Sequence, residues 1–294
     1  MFLSKLKMLE YQFKVFRTLF ISDEEYRRKK FKKIFGKEVS LISPKTLNEK
    51  INYRMVNQRS DFFTLVADKI SVRDYVELAI GPEYLVPLLG VFEKPEEIDF
   101  SRLPLSFVMK CNHDSGSAII CNNKYDLDLE NVMRHFKQHL KRNPYYTNRE
   151  WQYKNIKPRI LIEEKVELFR GKSRDTTPEM FRIHCFHGRP HFIEVDFTSG
   201  NGSEYVNIYN TEWELQPFTL GYANTPNPID RSESFSKMLS LASKIAIDFD
   251  YCRLDFMASD DAIFFSEITL TPESGQLKFN PPEWDAKLGR FWVL

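Results

Sequence analysis

The first twenty positions carry a helical stripe, with Phe2, Leu6, Leu9, Phe13, Phe16 and Phe20 recurring at steps of three and four. Lys7, Lys14 and Arg17 fall to its side or opposite. A basic run, Arg27-Arg28-Lys29-Lys30 with Lys32 and Lys33, follows at once. From residue 44 the texture becomes that of a folded body. The pattern predicts a helix over 61–81, a short strand with a proline over 84–92 and a strand over 106–110. A polar turn at 112–117 leads to a return strand at 118–121, an amphipathic helix over 127–140 and an apolar strand ending in acids over 159–166. Strands 180–186 and 191–197 form a hairpin about His187-Gly188-Arg189-Pro190, and a helix spans 235–249. Strands 251–257 and 262–270 form a second hairpin with its turn at Asp260-Asp261. Helices mixed with hairpins, and no internal repeat, predict an α+β fold with antiparallel sheets rather than a doubly wound parallel one.

Charge adds an asymmetry that the total conceals. Residues 1–37 hold 11 Lys/Arg against 4 Asp/Glu, whereas all 294 residues hold 42 against 41. The near-neutral body argues against nucleic acid as a partner. The N-terminal stripe fits a surface helix packed on the body, or an interfacial helix that attaches residues 1–37 to an anionic membrane surface. Cys111, Cys121, Cys185 and Cys252 show no metal-ligand spacing and read as reduced core thiols. No apolar run reaches the ~18–20 residues of a membrane-spanning helix. A secretory signal is not expected, so the expected location is cytoplasmic, or peripheral on the inner face of the cytoplasmic membrane. Chain length predicts one domain built of lobes, or two.

Three motifs could carry chemistry. In the C-terminal hairpin, alternation puts Arg253 and Asp255 on one face and Cys252, Leu254 and Phe256 on the other; Glu267 and Thr269 share a face of the partner strand. Two carboxylates ~4 Å apart repel by ~4 kcal/mol at an effective dielectric of 20. A cation such as Mg²⁺ removes that penalty, although a solvent-facing strand with a surface ion pair fits the pattern equally. Lys110 closes a buried strand before a small polar loop, which can place an ammonium and backbone N–H groups around phosphate, without Walker spacing. Glu163 ends an apolar strand where it could meet an adenine amino group, or simply water.

Other features read as structural. Asp126-Leu127-Asp128 and Asp248-Phe249-Asp250 could mark a metal-dependent glycosyltransferase, but such triplets arise by chance. His184, His187 and His191 fit sheet and turn positions better than a metal cluster. The run from Phe136 to Arg142 with Tyr145-Tyr146 fits a solvated helix face better than a nucleic-acid groove.

The order of these motifs resembles the ATP-grasp superfamily, and longer stretches are similar to its teichuronopeptide-biosynthesis (TupA-like) branch. They are Thr46–Ile51, Ala67-Asp68-Lys69 through Arg73 and Tyr75, Tyr84–Val91, Phe107–Gly116, Glu150–Arg159, Cys185–Gly188, Arg253–Phe256, Glu267–Gly275 and Phe279–Asp285. The resemblance implies two α+β lobes gripping a nucleotide, preceded by a basic helical arm. The expected divisions are 1–40 for the arm, 41–105 for the N-terminal part of the body, 106–170 for a nucleotide-lid lobe and 171–294 for a metal- and substrate-binding lobe.

It also implies roles. Lys69 and Lys110 would hold ATP phosphates under the Asn112–Ser117 loop, with Asn112, His113, Ser115, Gly116 and Ser117 in contact. Glu163 would meet the adenine amino group, and the backbone at Glu164 and Val166 the ring edge. Arg182 would face the γ-phosphate; Asp255, Glu267 and Thr269 would hold Mg²⁺; Arg253 would neutralise the reacting oxygens, with Lys110 and Arg182 beside it in catalysis. Thr269 stands where asparagine is usual, and Asp114 and Glu273 where glycine is.

The implied activity is ATP- and Mg²⁺-dependent carboxylate–amine ligation through an acyl-phosphate. The acceptor would be a uronic acid of a bacterial surface polysaccharide or lipid-linked saccharide precursor, joined to an amino acid or similar amine. A glycosyltransferase of the same biosynthesis, and a non-catalytic ATP- or saccharide-binding module, are the alternatives.

Overall fold

The computed structural model describes residues 2–169, 171–258 and 262–294, without the side chains of 2–5 and 7. The turn expected at Asp260-Asp261 and the side chains of Phe2 and Lys7 lie outside those residues. Helices α1 (Phe2–Arg17), α2 (Asp23–Phe35), α3 (Leu47–Asn57), α4 (Asp61–Ala67) and α5 (Val72–Ile80) come first. Strands β1 (Leu88–Phe92), β2 (Phe107–Cys111) and β3 (Ile119–Cys121) precede α6 (Leu129–His139), α7 (Pro144–Asn148) and β4 (Ile160–Glu164). Then come β5 (Met180–Phe186), β6 (Arg189–Thr198), β7 (Glu204–Asn210), β8 (Thr219–Leu220) and α8 (Phe235–Ile245). Strands β9 (Tyr251–Ala258), β10 (Ile263–Thr269) and β11 (Phe279–Asn280) and helix α9 (Trp284–Gly289) complete the order. Two compact units interleave along the chain: residues 1–38, 55–72 and 86–166, and residues 39–54, 73–85 and 167–294.

The first unit is built on an antiparallel sheet of order β1-β4-β2-β3. Alternation buries Phe107, Met109 and Cys111 of β2 with Ile160 and Ile162 of β4, against Val132 and Phe136 of α6. Asp23 at the start of α2 is buried, accepting hydrogen bonds from Arg149 (3.1 Å), Arg59 (2.8 Å) and the Tyr145 hydroxyl (3.0 Å). Tyr145 and Phe136 are therefore packed, and the aromatic-basic run around them is no stacking platform. The N-terminal stripe is not packed: Leu6, Leu9, Phe13, Phe16 and Phe20 are all exposed, which corrects the expectation of a stripe laid on the body.

The second unit carries an antiparallel sheet of order β10-β9-β5-β6-β7, with α8 against β5 and β6, and a small β8–β11 pair. Phe181, Ile183, Ile193, Val195, Leu254 and Phe256 are buried with Phe235, Met238 and Ile245 of α8. Arg54, 2% exposed, donates to the carbonyls of Tyr251 (2.7 Å) and Leu270 (3.1 Å) and pairs with Asp250. Asn48 fixes Leu277 through both backbone groups (2.9 and 2.8 Å).

The structure departs from the expected elements in places with clear causes. The helix expected over 61–81 is two helices, because Asp68 leaves helical geometry (φ −78°, ψ 112°) and accepts from the Ile70 N–H and the Ser71 hydroxyl. That side chain competes with the helix ladder for the same donors. The helix expected over 235–249 ends at Ile245, whose carbonyl takes the Tyr75 hydroxyl at 2.7 Å, and continues as one 3₁₀ turn. The hairpin turn is tighter than expected: only His187 (φ 47°) and Gly188 (φ 77°) form it, and Arg189 and Pro190 belong to β6.

Candidate functional site

In the first unit the pairing of β2 with β4 sets Lys110 opposite Leu161 and Val108 opposite Glu163, so Lys110 and Glu163 are diagonal neighbours on one face. Lys110 Nζ lies 2.6 Å from Glu163 Oε2, with both side chains largely buried. The helix break at Asp68 presents Lys69, whose Nζ donates to the Asp114 carbonyl at 2.9 Å while its backbone N–H donates to Asn112 O at 3.1 Å. Both lysines are thus tied to the residues implied for nucleotide binding.

The loop between β2 and β3 divides by function. Asn112 and His113 are fully buried. Asn112 donates to Asp68 (2.8 Å) and accepts from the Arg159 N–H (2.7 Å), and His113 meets the Arg142 carbonyl at 2.8 Å. Asp114 accepts from Ser117 and approaches His139 Nδ1, each at 2.5 Å, and Ser117 also accepts from the Cys111 N–H. Burial alone would raise the Asp114 pKa, but the bonds from His139 and Ser117 hold it below its ordinary value. Ser115 and Gly116 (φ 84°) form the exposed tip, and Ala118 is exposed beyond the buried Ser117. The Glu164 N–H donates to the Pro87 carbonyl, and Val166 lies beyond the strand end.

In the second unit, β9 and β10 bring Asp255 directly opposite Glu267 and Arg253 opposite Thr269, with a bulge at Ser266. The ion pair on this face is buried, with Arg253 7% and Asp255 3% exposed, which corrects the reading of a surface ion pair; Glu267 and Thr269 beside it are partly exposed. Arg253 grips Asp255 through two hydrogen bonds of 2.8 and 2.7 Å and reaches Thr269 at 3.3 Å and Glu267 at 3.8 Å. Burial, with the repulsion of Glu267, pushes the Asp255 carboxyl up against the opposing pull of Arg253. A buried carboxylate with an elevated proton affinity, opposed by a second, partly exposed one, is a donor set that fits Mg²⁺, which is held through one or two carboxylates plus substrate oxygens.

The same sheet face continues through Arg182 of β5 to Glu194 and Asp196 of β6. Arg182 pairs with Asp196 and lies 4.0 Å from Asp255. A cavity of about 570 Å³ opens here, lined by Arg182, Glu194 and Asp196 and by Glu204, Tyr205, Tyr222, Glu273 and Lys278. Burial, opposed by Arg182, pushes the Asp196 pKa up to about 7. Glu273 takes a left-handed backbone (φ 48°) beside this cavity, the conformation that favours the glycine usual at its place.

The sequence reading missed the cavity. Its available signal was Glu194-x-Asp196, an acidic pair at strand spacing; Glu204 and Tyr205 lie on β7, a strand it did not anticipate. The remaining histidines and Asp triplets are accounted for locally. His184 lies between the Tyr251 hydroxyl (3.0 Å) and Glu194 (2.6 Å), His187 accepts from the Val293 N–H, and His191 meets the Phe291 ring at a tilt, 4.4 Å between centroids. Asp128 caps α6, and Asp250 takes Arg54 and the Trp292 indole. Among the described residues no cluster of three or more His, Cys, Asp or Glu side chains is arranged to hold a metal.

The family model described as TupA-like ATPgrasp matches residues 49–293, most of the chain. The chain belongs to the TupA-like ATP-grasp family. No curated protein matches the sequence of this family member. It is similar to D-alanine–D-alanine ligase from Bacillus anthracis complexed with ATP, at 12% identity and TM-score 0.40, over 70% of this chain and 54% of that one. It is similar to L-amino acid ligase from Bacillus licheniformis at 11% identity and TM-score 0.48, over 84% of this chain and 54% of that one. A RimK domain ATP-grasp protein from Sphaerobacter thermophilus gives 14% identity and TM-score 0.44, over 92% of this chain and 95% of that one. The TupA-like chain thus spans about half the length of the first two of these proteins.

Proposed function

We propose that the protein is an ATP- and Mg²⁺-dependent carboxylate–amine ligase of surface-polysaccharide assembly. The observation that carries this reading is the directly opposed pair Asp255–Glu267, with Asp255 buried and gripped by Arg253 and Glu267 partly exposed beside it. Asp255 and Glu267, with the Thr269 hydroxyl at the strand end, would hold the metal, which supplies charge neutralisation to the transferring phosphoryl group. Lys69 and Lys110 would place phosphate oxygens, with Ser115 and Gly116 as the exposed part of the loop. Glu163 would turn from Lys110 to the adenine amino group. Arg253 and Arg182 would stabilise the developing charge as the substrate carboxylate attacks the γ-phosphorus and ADP leaves. Attack of an amine on the acyl-phosphate then forms the amide and releases phosphate.

The cavity beside Arg182 supports a sizeable acceptor: Tyr205 and Tyr222 offer faces for a sugar ring, and Glu204 and Glu273 suit a substrate ammonium. On this reading the carboxylate belongs to a uronic acid of a saccharide or lipid-linked saccharide, the amine to an amino acid or relative. The place of work is then the inner face of the cytoplasmic membrane. Release of ADP and phosphate, assayed with uronic acid and amino acid pairs, tests the reading. Turnover requires both substrates and Mg²⁺; a UDP-sugar-dependent transfer with no response to ATP would replace it with a glycosyltransferase.

A further inference from the structure

Among the described residues, Tyr11 holds helix α1 on one side and Arg17 holds its C-terminal end. The Tyr11 hydroxyl accepts from the Asn143 N–H at 2.9 Å, its ring meets Tyr146 edge-on at 6.3 Å, and Arg17 stacks over Tyr26 at 4.8 Å. Half a turn from Tyr11, by the 100° step of a helix, lie Leu6, Leu9, Phe13 and Phe16, with Arg17 at the edge of their row. Together with Leu19 and Phe20 just past the helix, these side chains are 55–74% exposed. Single exposed apolar residues need no explanation, but a continuous row of six does.

The segment that follows α1 is basic. Arg27 and Asp23 are buried, one of each sign, so the positive excess of residues 1–37 remains with the other groups. Helix α2 presents Lys29 and Lys32 at 68% and 64% exposure, and Lys33 and Lys37 are also exposed. The surface pairs that Lys29 and Lys32 make with Glu25 and Glu38 are worth little in water and yield to a stronger anion. Among the described residues no helix is long and apolar enough to cross a membrane.

We propose that α1 is an interfacial anchor: its Leu/Phe row enters the surface of a membrane bearing anionic headgroups, and the exposed lysines of α2 meet those headgroups. An exposed apolar helix row followed in the chain by exposed lysines is the pattern that lies in a bilayer interface. A second copy is the poorer occupant. The row spans about two heptads, short of the three to four that a coiled coil sustains, and phenylalanine is not the residue a two-helix seam selects. The inference stands on the first unit alone and does not depend on the ligase reading.

Flotation of the full chain tests it. Vesicles of phosphatidylglycerol and phosphatidylethanolamine are expected to carry the protein up, with about tenfold less binding to pure phosphatidylcholine or at about 0.5 M salt. Phe13→Glu with Phe16→Glu is expected to lose about tenfold in binding with an unchanged melting curve, since both positions are exposed. No flotation, equal flotation of the double variant, or equal binding to phosphatidylcholine would overturn the proposal. So would light scattering that shows a dimer which the double variant separates, with no vesicle binding. ADP release, measured on the same preparations without vesicles, reports on ligation independently.

Discussion

Lys110 Nζ and Glu163 Oε2 lie 2.6 Å apart across β2 and β4, so the ammonium implied for phosphate and the carboxylate implied for adenine hold each other. Removing the lysine leaves Glu163, 6% exposed, without its ammonium. Lys110→Met is expected to destabilise the protein by about 1–3 kcal/mol, and Lys110→Met with Glu163→Leu by less. Urea denaturation checks the order; a double variant no better than the single one would show that the pair is not coupled.

Asp114 ties the loop between β2 and β3 to α6 through His139. Its depressed pKa stabilises the fold above the ordinary carboxylate range, and that contribution is lost as pH falls through the lower folded value. Asp114→Gly is expected to cost about 1–3 kcal/mol and to speed amide exchange at residues 112–117. Unchanged exchange there would mean that the loop is held by its other bonds alone.

Asp196 works in the opposite sense. With a folded pKa of about 7, the native state keeps a proton that the unfolded chain has released, so the contribution of Asp196 to stability is full at acid pH and is lost as pH rises from about 4 to about 7. Asp196→Asn is expected to flatten that fall by about 1–4 kcal/mol. Parallel pH profiles of wild type and variant would contradict the assignment.

Glu273 occupies a left-handed conformation at φ 48°. Glu273→Gly is expected to raise stability by about 0.5–1 kcal/mol, less than the full strain because glycine loses more entropy on folding. A lower melting temperature would show that the Glu273 side chain makes contacts worth more than the strain.

Legibility followed the range of each interaction. The polar–apolar alternation of β9 and β10 is a period-2 signal, so the face shared by Arg253 and Asp255 could be read from sequence, and the register bears it out. That this face is buried could not, because burial depends on what other elements bring to it. The Lys110–Glu163 pair required the register of strands some fifty residues apart. The break at Asp68 turned on a side chain capturing Ile70 and Ser71 donors, a local competition that an apolar pattern running through 61–81 hides. Strand β7 escaped notice because Asn207 and Asn210 break its apolar run, and with it went Glu204, Tyr205 and Val206 of the cavity wall. The Leu/Phe row of α1 was plain in sequence; which side of the helix docks was decided by Tyr11.

The central claim is that Asp255 and Glu267 serve a metal-dependent ATP reaction. The most direct measurement is release of ADP and phosphate by wild type, Asp255→Asn and Glu267→Gln with a uronic acid and an amine. Mg²⁺-dependent turnover that needs both substrates is expected, falling at least about 100-fold in each variant, a loss of roughly 2.7 kcal/mol of transition-state stabilisation. Turnover of either variant at the wild-type rate would contradict it.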